Sequence, residues 1–282
     1  MALELRHVDY VYDAGGPYEK QALTDISLSV EDGTFLCLIG QTGSGKSTLL
    51  QILGGLLLPT GGQVLCDGRD IHGKDFSMRR LREMIGMVFQ YPEYQLFEAT
   101  VLKDAAFGPK NLGASEEEAL QRAREGLRLA NLPEQYWEIS PFELSGGEKR
   151  RAAIAGVLAM NPKILVMDEP TAGLDPKGRR ELFAMLTRLH AGGMTIVLVS
   201  HSMEDVAEYA ERAAVLQEGR LLFDGTPKEV FSHKEELEAI HLALPEAEYL
   251  ARELAELGVP VDPGLTRFDE VKEAVLAALG RQ

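Results

Sequence analysis

Apolar and polar residues alternate over positions 3–8 and again over 22–30, the period-two pattern of half-buried strands. Asp32-Gly33 marks a turn. Residues 35–39 are apolar almost throughout, as in a strand covered on both faces. Positions 64–67 and 84–89 read as further strands. From about Pro92 to Asn161 the spacing becomes helical, and it is clearly amphipathic over 116–130. Strand signals return at 164–167 and 195–199, with a crossover helix over 177–191 between them. Residues 213–216 and 220–223 flank Gly219 as a hairpin. After Thr226-Pro227 the character changes: 235–258 and 269–279 read as helices rich in Ala, Leu and Glu, separated by Pro260 and Pro263. The pattern predicts an α/β core, a helical insert and a small C-terminal helical appendage.

Charge narrows the partners. Lys and Arg number 29 against 44 Asp and Glu, a formal net charge of −15. That balance disfavours a nucleic-acid partner and direct adhesion to anionic lipid. A membrane role would have to run through a protein partner. No stretch approaches the roughly 18 apolar residues of a membrane span. The start, Met1 to Arg6, lacks the layout of a signal peptide, so a cytoplasmic location is expected. Cys37, inside an apolar run, reads as a buried small residue, and neither it nor Cys66 has metal-ligand spacing.

Three segments carry chemistry. Gly40-Gln41-Thr42-Gly43-Ser44-Gly45-Lys46-Ser47-Thr48 lies between an apolar strand and the start of a helix. Glycines there let backbone N–H groups close on phosphate oxygens, and the helix N-terminus faces the same charge. Lys46 is spaced to reach the β- and γ-phosphates, and Ser47 to ligate Mg²⁺. Asp168 and Glu169 end the strand at 164–167, where two adjacent acids are costly to bury without a cation or shared proton. Between these lies Leu144-Ser145-Gly146-Gly147-Glu148, a second small-residue turn before a helix, also able to offer N–H groups to a phosphate.

In this order the three segments resemble the ATP-binding cassette (ABC) ATPases, over roughly residues 3–226. The resemblance implies a P-loop core with an antiparallel β subdomain, a helical subdomain at about 91–162, and ATP and Mg²⁺ as ligands. It implies that Asp168 holds Mg²⁺ and that Glu169 is the general base. Gln90 would contact the metal and the attacking water, and His201 the γ-phosphate. Asp175 would lie in a loop that crosses to a partner subunit. Ser145, Gly146, Gly147 and Glu148 would close over ATP held by that second subunit. The family's usual residue at the last of these positions is glutamine. An aromatic near the start stacks on adenine in the family. Tyr12 is favoured, with Tyr10 expected on the opposite face and Tyr18 or a purely structural role as alternatives.

Further stretches resemble the energy-coupling-factor (ECF) branch: Gln95-Leu96-Phe97, residues 106–113 and residues 152–160. The loop at 15–23 looks like that of the second of its two paralogous ATPases. This likeness implies an importer of vitamins or transition-metal ions. Its partners would be a second ATPase subunit, paralogue or self, a transmembrane scaffold and an exchangeable substrate-binding membrane subunit. The chain would sit peripherally on the cytoplasmic face of the membrane. The segment 227–282 would be an appendage making an extra dimer contact. Tyr91, Tyr94 and Phe97, with Glu93 and Glu98 as charge partners, would receive an arginine of the scaffold. The alternatives are the ATPase of another importer, such as a cobalt or nickel system, and a non-transport ABC ATPase.

Overall fold

The computed structural model describes residues 3–73 and 76–280; residues 1–2, 74–75 and 281–282, inside the expected ranges 1–226 and 227–282, lie outside the described residues. Two sheets form the frame. The antiparallel sheet has the order β2-β1-β4-β5, built from β1 (Leu3–Tyr12), β2 (Lys20–Val30), β4 (Gly61–Cys66) and β5 (Arg69–Asp70). Between β2 and β4 the chain forms β3 (Phe35–Ile39) and α1 (Lys46–Leu53). Every residue of β3 is buried, which accounts for its unbroken apolar run.

The second sheet has the order β10-β9-β3-β8-β7-β6. Its strands are β6 (Ile85–Val88), which follows α2 (Met78–Met84), then β7 (Ile164–Asp168), β8 (Thr195–Val199), β9 (Arg212–Gln217) and β10 (Arg220–Gly225). All neighbours are parallel except β9 and β10, which form the hairpin around Gly219. Strand β3 therefore lies between β8 and β9, so the loop after it opens at the carboxyl edge of a parallel sheet. That edge is where doubly wound sheets place ligands.

Between β6 and β7 the chain makes α3 (Val101–Asn111), α4 (Glu116–Leu129) and α5 (Gly146–Leu158). Helix α4 starts at Ser115, whose hydroxyl caps Glu118 N–H at 3.2 Å, with three glutamates in the first turn. The crossover α6 (Pro176–Ala191) and the short α7 (Met203–Tyr209) complete the core. One apolar cluster joins the antiparallel sheet and α1 to one face of the large sheet. Another joins the opposite face to α3–α6.

The C-terminal segment departs from its expected outline. The expected helix over 235–258 is two helices, α9 (Lys234–Ala239) and α10 (Glu246–Glu256), preceded by α8 (Pro227–Ser232) and followed by α11 (Phe268–Ala278). His241 takes a left-handed backbone, φ 55°, and Pro245 starts a new helix, so helical composition alone misread the break. Packing also divides later than residue 226. Val230, Phe231, Leu237, Ile240, Leu242 and Leu244 join the main core, whereas Ala247, Ala251 and Val271 of α10 and α11 form a small cluster of their own. Among the described residues no helix is long and apolar enough to cross a membrane.

Candidate active site

The loop after β3 is shaped by backbone room. Gly40 (φ 149°) passes so close to β9 that a Cβ would meet the Leu216 carbonyl oxygen at 2.2 Å. Gly45 (φ 106°), at the N-cap of α1, leaves 2.8 Å between a Cβ and the Ala22 carbonyl oxygen. Lys46 is buried, and its ammonium donates to the carbonyls of Gly40 (2.6 Å) and Gln41 (2.8 Å). Burial pushes its pKa down, against the opposing pull of Glu169 and Asp168. A cavity of about 400 Å³ opens above the loop, lined by Thr42, Gly43, Gly45, Lys46, Ser47, Thr48, Tyr12 and Glu169.

Tyr12 ends β1, and its hydroxyl lies 3.0 Å from Thr48 Oγ1. Tyr10 does not point to the opposite face. Its ring meets that of Tyr12 edge-on with centroids 4.8 Å apart, as period-two spacing places residues two apart on one side. Tyr10 packs against the apolar core, while Tyr12, 39% exposed, borders the cavity. Tyr18 is 84% exposed and does not line it.

Asp168 and Glu169 sit where β7 ends. Asp168 is pushed above the usual carboxylate range by burial, with a hydrogen bond from Ser47 opposing the shift. Its Oδ1 is buried without a hydrogen-bond partner among the described residues. Glu169 adopts a left-handed backbone, φ 46°, a conformation that costs a residue with a Cβ about 1–3 kcal/mol. The strain aims its carboxylate between two side chains. Gln90 Nε2 donates to Oε2 at 2.9 Å, and His201 Nε2 contacts Oε1. Gln90 and His201 leave β6 and β8, the two neighbours of β7, so adjacent parallel strands deliver all three groups to one edge.

Ser145 to Glu148 stand apart. They open α5 in a capping box: Glu148 N–H faces Ser145 Oγ at 3.5 Å, and Glu148 Oε2 accepts from Ser145 N (2.8 Å) and Ser145 Oγ (2.6 Å). A single oxygen accepts both bonds, so an amide in place of the carboxylate would serve the cap as well. None of the four residues lines the phosphate-loop cavity; Gly147 and Glu148 line a different one beside α6. Asp175 caps α6 by accepting from Gly178 N–H at 2.7 Å.

Several contacts were not legible beforehand. Arg179 on α6 binds Asp205 (2.9 Å) and the Ser202 hydroxyl, tying the first turn of α6 to the residues just after His201. Gln41 donates to the Ile240 carbonyl, joining the phosphate loop to the C-terminal segment. Glu93, expected as a free charge partner, is only 16% exposed and is held by Arg150 of α5, which is 5% exposed. Long-range pairs of this kind leave no periodic signal.

This loop, this sheet edge and the carboxylate at the end of β7 define a P-loop nucleoside triphosphatase. The comparisons narrow the class. The ABC transporter family matches residues 23–172. The energy-coupling factor transporter ATP-binding protein EcfA2 of Caldanaerobacter subterraneus subsp. tengcongensis is 49% identical over 99% of this chain and 98% of its own. The protein of the same name from Streptococcus pyogenes serotype M28 is 50% identical over 98% and 99%. Among solved structures, cbiO1 from Clostridium perfringens, part of the ABC transporter complex cbiONQ, is 38% identical with a TM-score of 0.73, covering 88% of this chain and 98% of that one. A dimeric ATP-binding cassette in a post-hydrolysis state with ADP and Pi is 33% identical with a TM-score of 0.70, over 80% and 98%. The chain belongs to the ABC transporter ATPases, in the branch of the energy-coupling factor ATP-binding subunits.

Proposed function

We propose that this chain hydrolyses ATP at a site completed by a second ATPase subunit, and so powers uptake of a vitamin or transition-metal ion through membrane partners. The observation that carries this reading is the Glu169 carboxylate, held between Gln90 and His201 beside the phosphate-loop cavity. In this reading the loop N–H groups and Lys46 bind the β- and γ-phosphates, releasing the lysine from its carbonyl contacts, and Tyr12 stacks on the adenine. Gln90 and His201 orient the attacking water and the γ-phosphate, and Glu169 takes the water's proton at its carboxylate.

The residues present fit a Mg²⁺ ion. Asp168 Oδ1 is a buried, unpartnered acceptor, and the Ser47 hydroxyl lies against the same carboxylate. Among the described residues no group of three or more His, Cys, Asp or Glu could hold a metal alone, so the phosphate oxygens would complete the set. Asp168, Ser47 and Gln90 would hold the ion, which neutralises charge on the phosphate oxygens when bound.

A single chain supplies a phosphate loop with its base and, at a distance, a capped segment, Ser145 to Glu148, that lines no part of that cavity. Two copies or two paralogues facing each other would give each nucleotide both halves. Asp175 lies at the start of α6, where a crossing loop would leave. The exposed Leu257, Phe268 and Leu279 of the C-terminal segment offer an apolar surface for a further subunit contact. A transmembrane scaffold would dock on Tyr91, Tyr94 and Phe97, which are 40, 84 and 56% exposed. Glu98 would be its carboxylate partner, since Glu93 is already engaged. The chain then works peripherally at the cytoplasmic face of the membrane, with an exchangeable membrane subunit choosing the solute.

Affinity purification from detergent-solubilised membranes of its own cells, read by mass spectrometry, tests this. A second ATP-binding subunit, an integral-membrane scaffold and a small substrate-binding membrane protein are expected. Recovery of nucleic acid, or of soluble partners alone, sinks the transport reading.

A further inference from the structure

Arg150 occupies an unusual place for a side chain on a helix whose first turn is polar and open. It is 5% exposed, and each nitrogen of its guanidinium has a partner. Nε and Nη2 form a two-pronged pair with Glu93 at 3.0 and 2.7 Å. Nη1 donates to the carbonyls of Pro170 at 2.9 Å and Ala172 at 2.7 Å. Those carbonyls bracket the turn that leaves Glu169, closed by Ala172 N–H on the Glu169 carbonyl at 3.1 Å. On its other side Glu169 accepts from Gln90, three residues before Glu93. The contacts therefore close a ring: Glu169 to Gln90, along the chain to Glu93, across to Arg150, and back through Pro170 and Ala172 to Glu169.

Burial of this pair has a cost that only good geometry offsets. Burial pushes Glu93 up, but hydrogen bonding from Arg150, a backbone hydrogen bond and the charge of Arg150 together outweigh it and leave its carboxyl below its ordinary value. The pair is thus ionised and firmly made. Its Glu93 end sits in the turn Pro92–Gln95, between Tyr91 and Tyr94, whose rings are exposed. Its backbone end grips the turn that holds Glu169 at its left-handed φ. Without that grip the strained residue can relax and turn its carboxylate.

We propose that Arg150 is a positioning residue for hydrolysis, locking the turn after Glu169 to the Gln90–Glu93 segment so that a displacement of the exposed Tyr91–Tyr94 surface reaches the catalytic carboxylate. The proposal rests on the reading of Glu169 as the general base. Lysine cannot replace the arginine, because one ammonium cannot span a carboxylate and two carbonyls in this planar arrangement.

The test compares Arg150→Lys and Glu93→Gln in the complete assembled transporter, measuring kcat, KM for ATP, nucleotide affinity and thermal unfolding, alone and combined with Glu169→Gln. Arg150→Lys is expected to lower kcat about 10-fold or more, as loss of positioning does, with KM and affinity within about threefold. Glu93→Gln should act in the same direction but less, because Arg150 keeps its backbone contacts. On the Glu169→Gln background either change should leave residual hydrolysis nearly unaltered, since groups acting through one carboxylate do not add. A residue that merely stabilises the fold would lower affinity and the melting point and act equally on both backgrounds. That result, or an unchanged kcat in Glu93→Gln if Arg150→Lys fails to fold, overturns the proposal. Near-wild-type hydrolysis by Glu169→Gln alone overturns the base assignment instead, a separate failure.

Discussion

The phosphate-loop edge and the Ser145–Glu148 turn each set glycines at the start of a helix, yet they are in opposite physical condition. The first carries unresolved cost. Lys46 is buried, Asp168 has a buried oxygen without a partner, and Glu169 sits at φ 46°. The second is locally satisfied, its serine and glutamate capping each other at the open start of α5. Such cost is expected where ligands and chemistry are met, and in the proposed reading a bound cation and phosphate would relieve it. If the turn serves a neighbouring subunit's nucleotide, as proposed, it has to be stable on its own before that neighbour arrives. The contrast fits the proposed division of labour, in which the binding and hydrolytic groups are organised within one chain and the closing group acts on another.

The sharpest way to break this comparison is Glu169→Gln. Hydrolysis should fall about 10²-fold or more, the usual cost of losing a positioned base, while ATP binding persists, measured by single-turnover assay and nucleotide titration. Half the wild-type rate in the assembled complex would remove Glu169 from the chemistry.

Ser145→Arg comes next. Nucleotide binding by the isolated chain should stay near normal, because Ser145 lines no part of the phosphate-loop cavity. Turnover of the assembled pair should drop at least about 10-fold, as for loss of a phosphate-facing donor. Lost binding in a folded, isolated mutant would place Ser145 in its own chain's site.

Asp168→Asn probes the cost directly. A carboxyl raised by burial destabilises the native state where it must be charged, so removing the charge should raise the melting point at pH 7. The sign follows from linkage: below the ordinary value, both states hold the proton and the gain disappears. Hydrolysis should fall at the same time, through weaker Mg²⁺ binding. A lower melting point at pH 7 would show that Asp168 is well satisfied as an anion.

Glu148→Gln is the smallest expected change. One amide oxygen can take both bonds from Ser145, so stability should move by less than about 0.5 kcal/mol by denaturant titration. A larger loss would mean that the charge itself, at the positive end of α5, matters.

Period and punctuation made much of this legible in the chain. The buried run of β3, the glycines after it, the acids ending β7 and the small-residue turn before α5 announce their chemistry locally, because each needs particular residue types at fixed spacing. Elements shorter than about two helical periods were lost. Helix α8 carries a readable capping box, Thr226 with Glu229, but only six residues of helix follow it. The break at His241 hides inside a helical composition. Tyr10, expected on the face opposite Tyr12, instead meets its ring edge-on, in a stretch where the register of β1 against β2 is irregular.

What the sequence by itself determined is the class of chemistry and the order of the parts: a phosphate loop, a second small-residue turn before a helix, and a pair of acids at a strand end. These rest on short-range backbone geometry, which a few consecutive residues suffice to specify. Tertiary structure alone decided which groups meet. It set Gln90 and His201 on either side of Glu169 because β6 and β8 flank β7, an adjacency distant in the chain. It also took Glu93 from the surface and gave it to Arg150, 57 residues away. Such pairings depend on how strands order and helices pack. No local pattern encodes them.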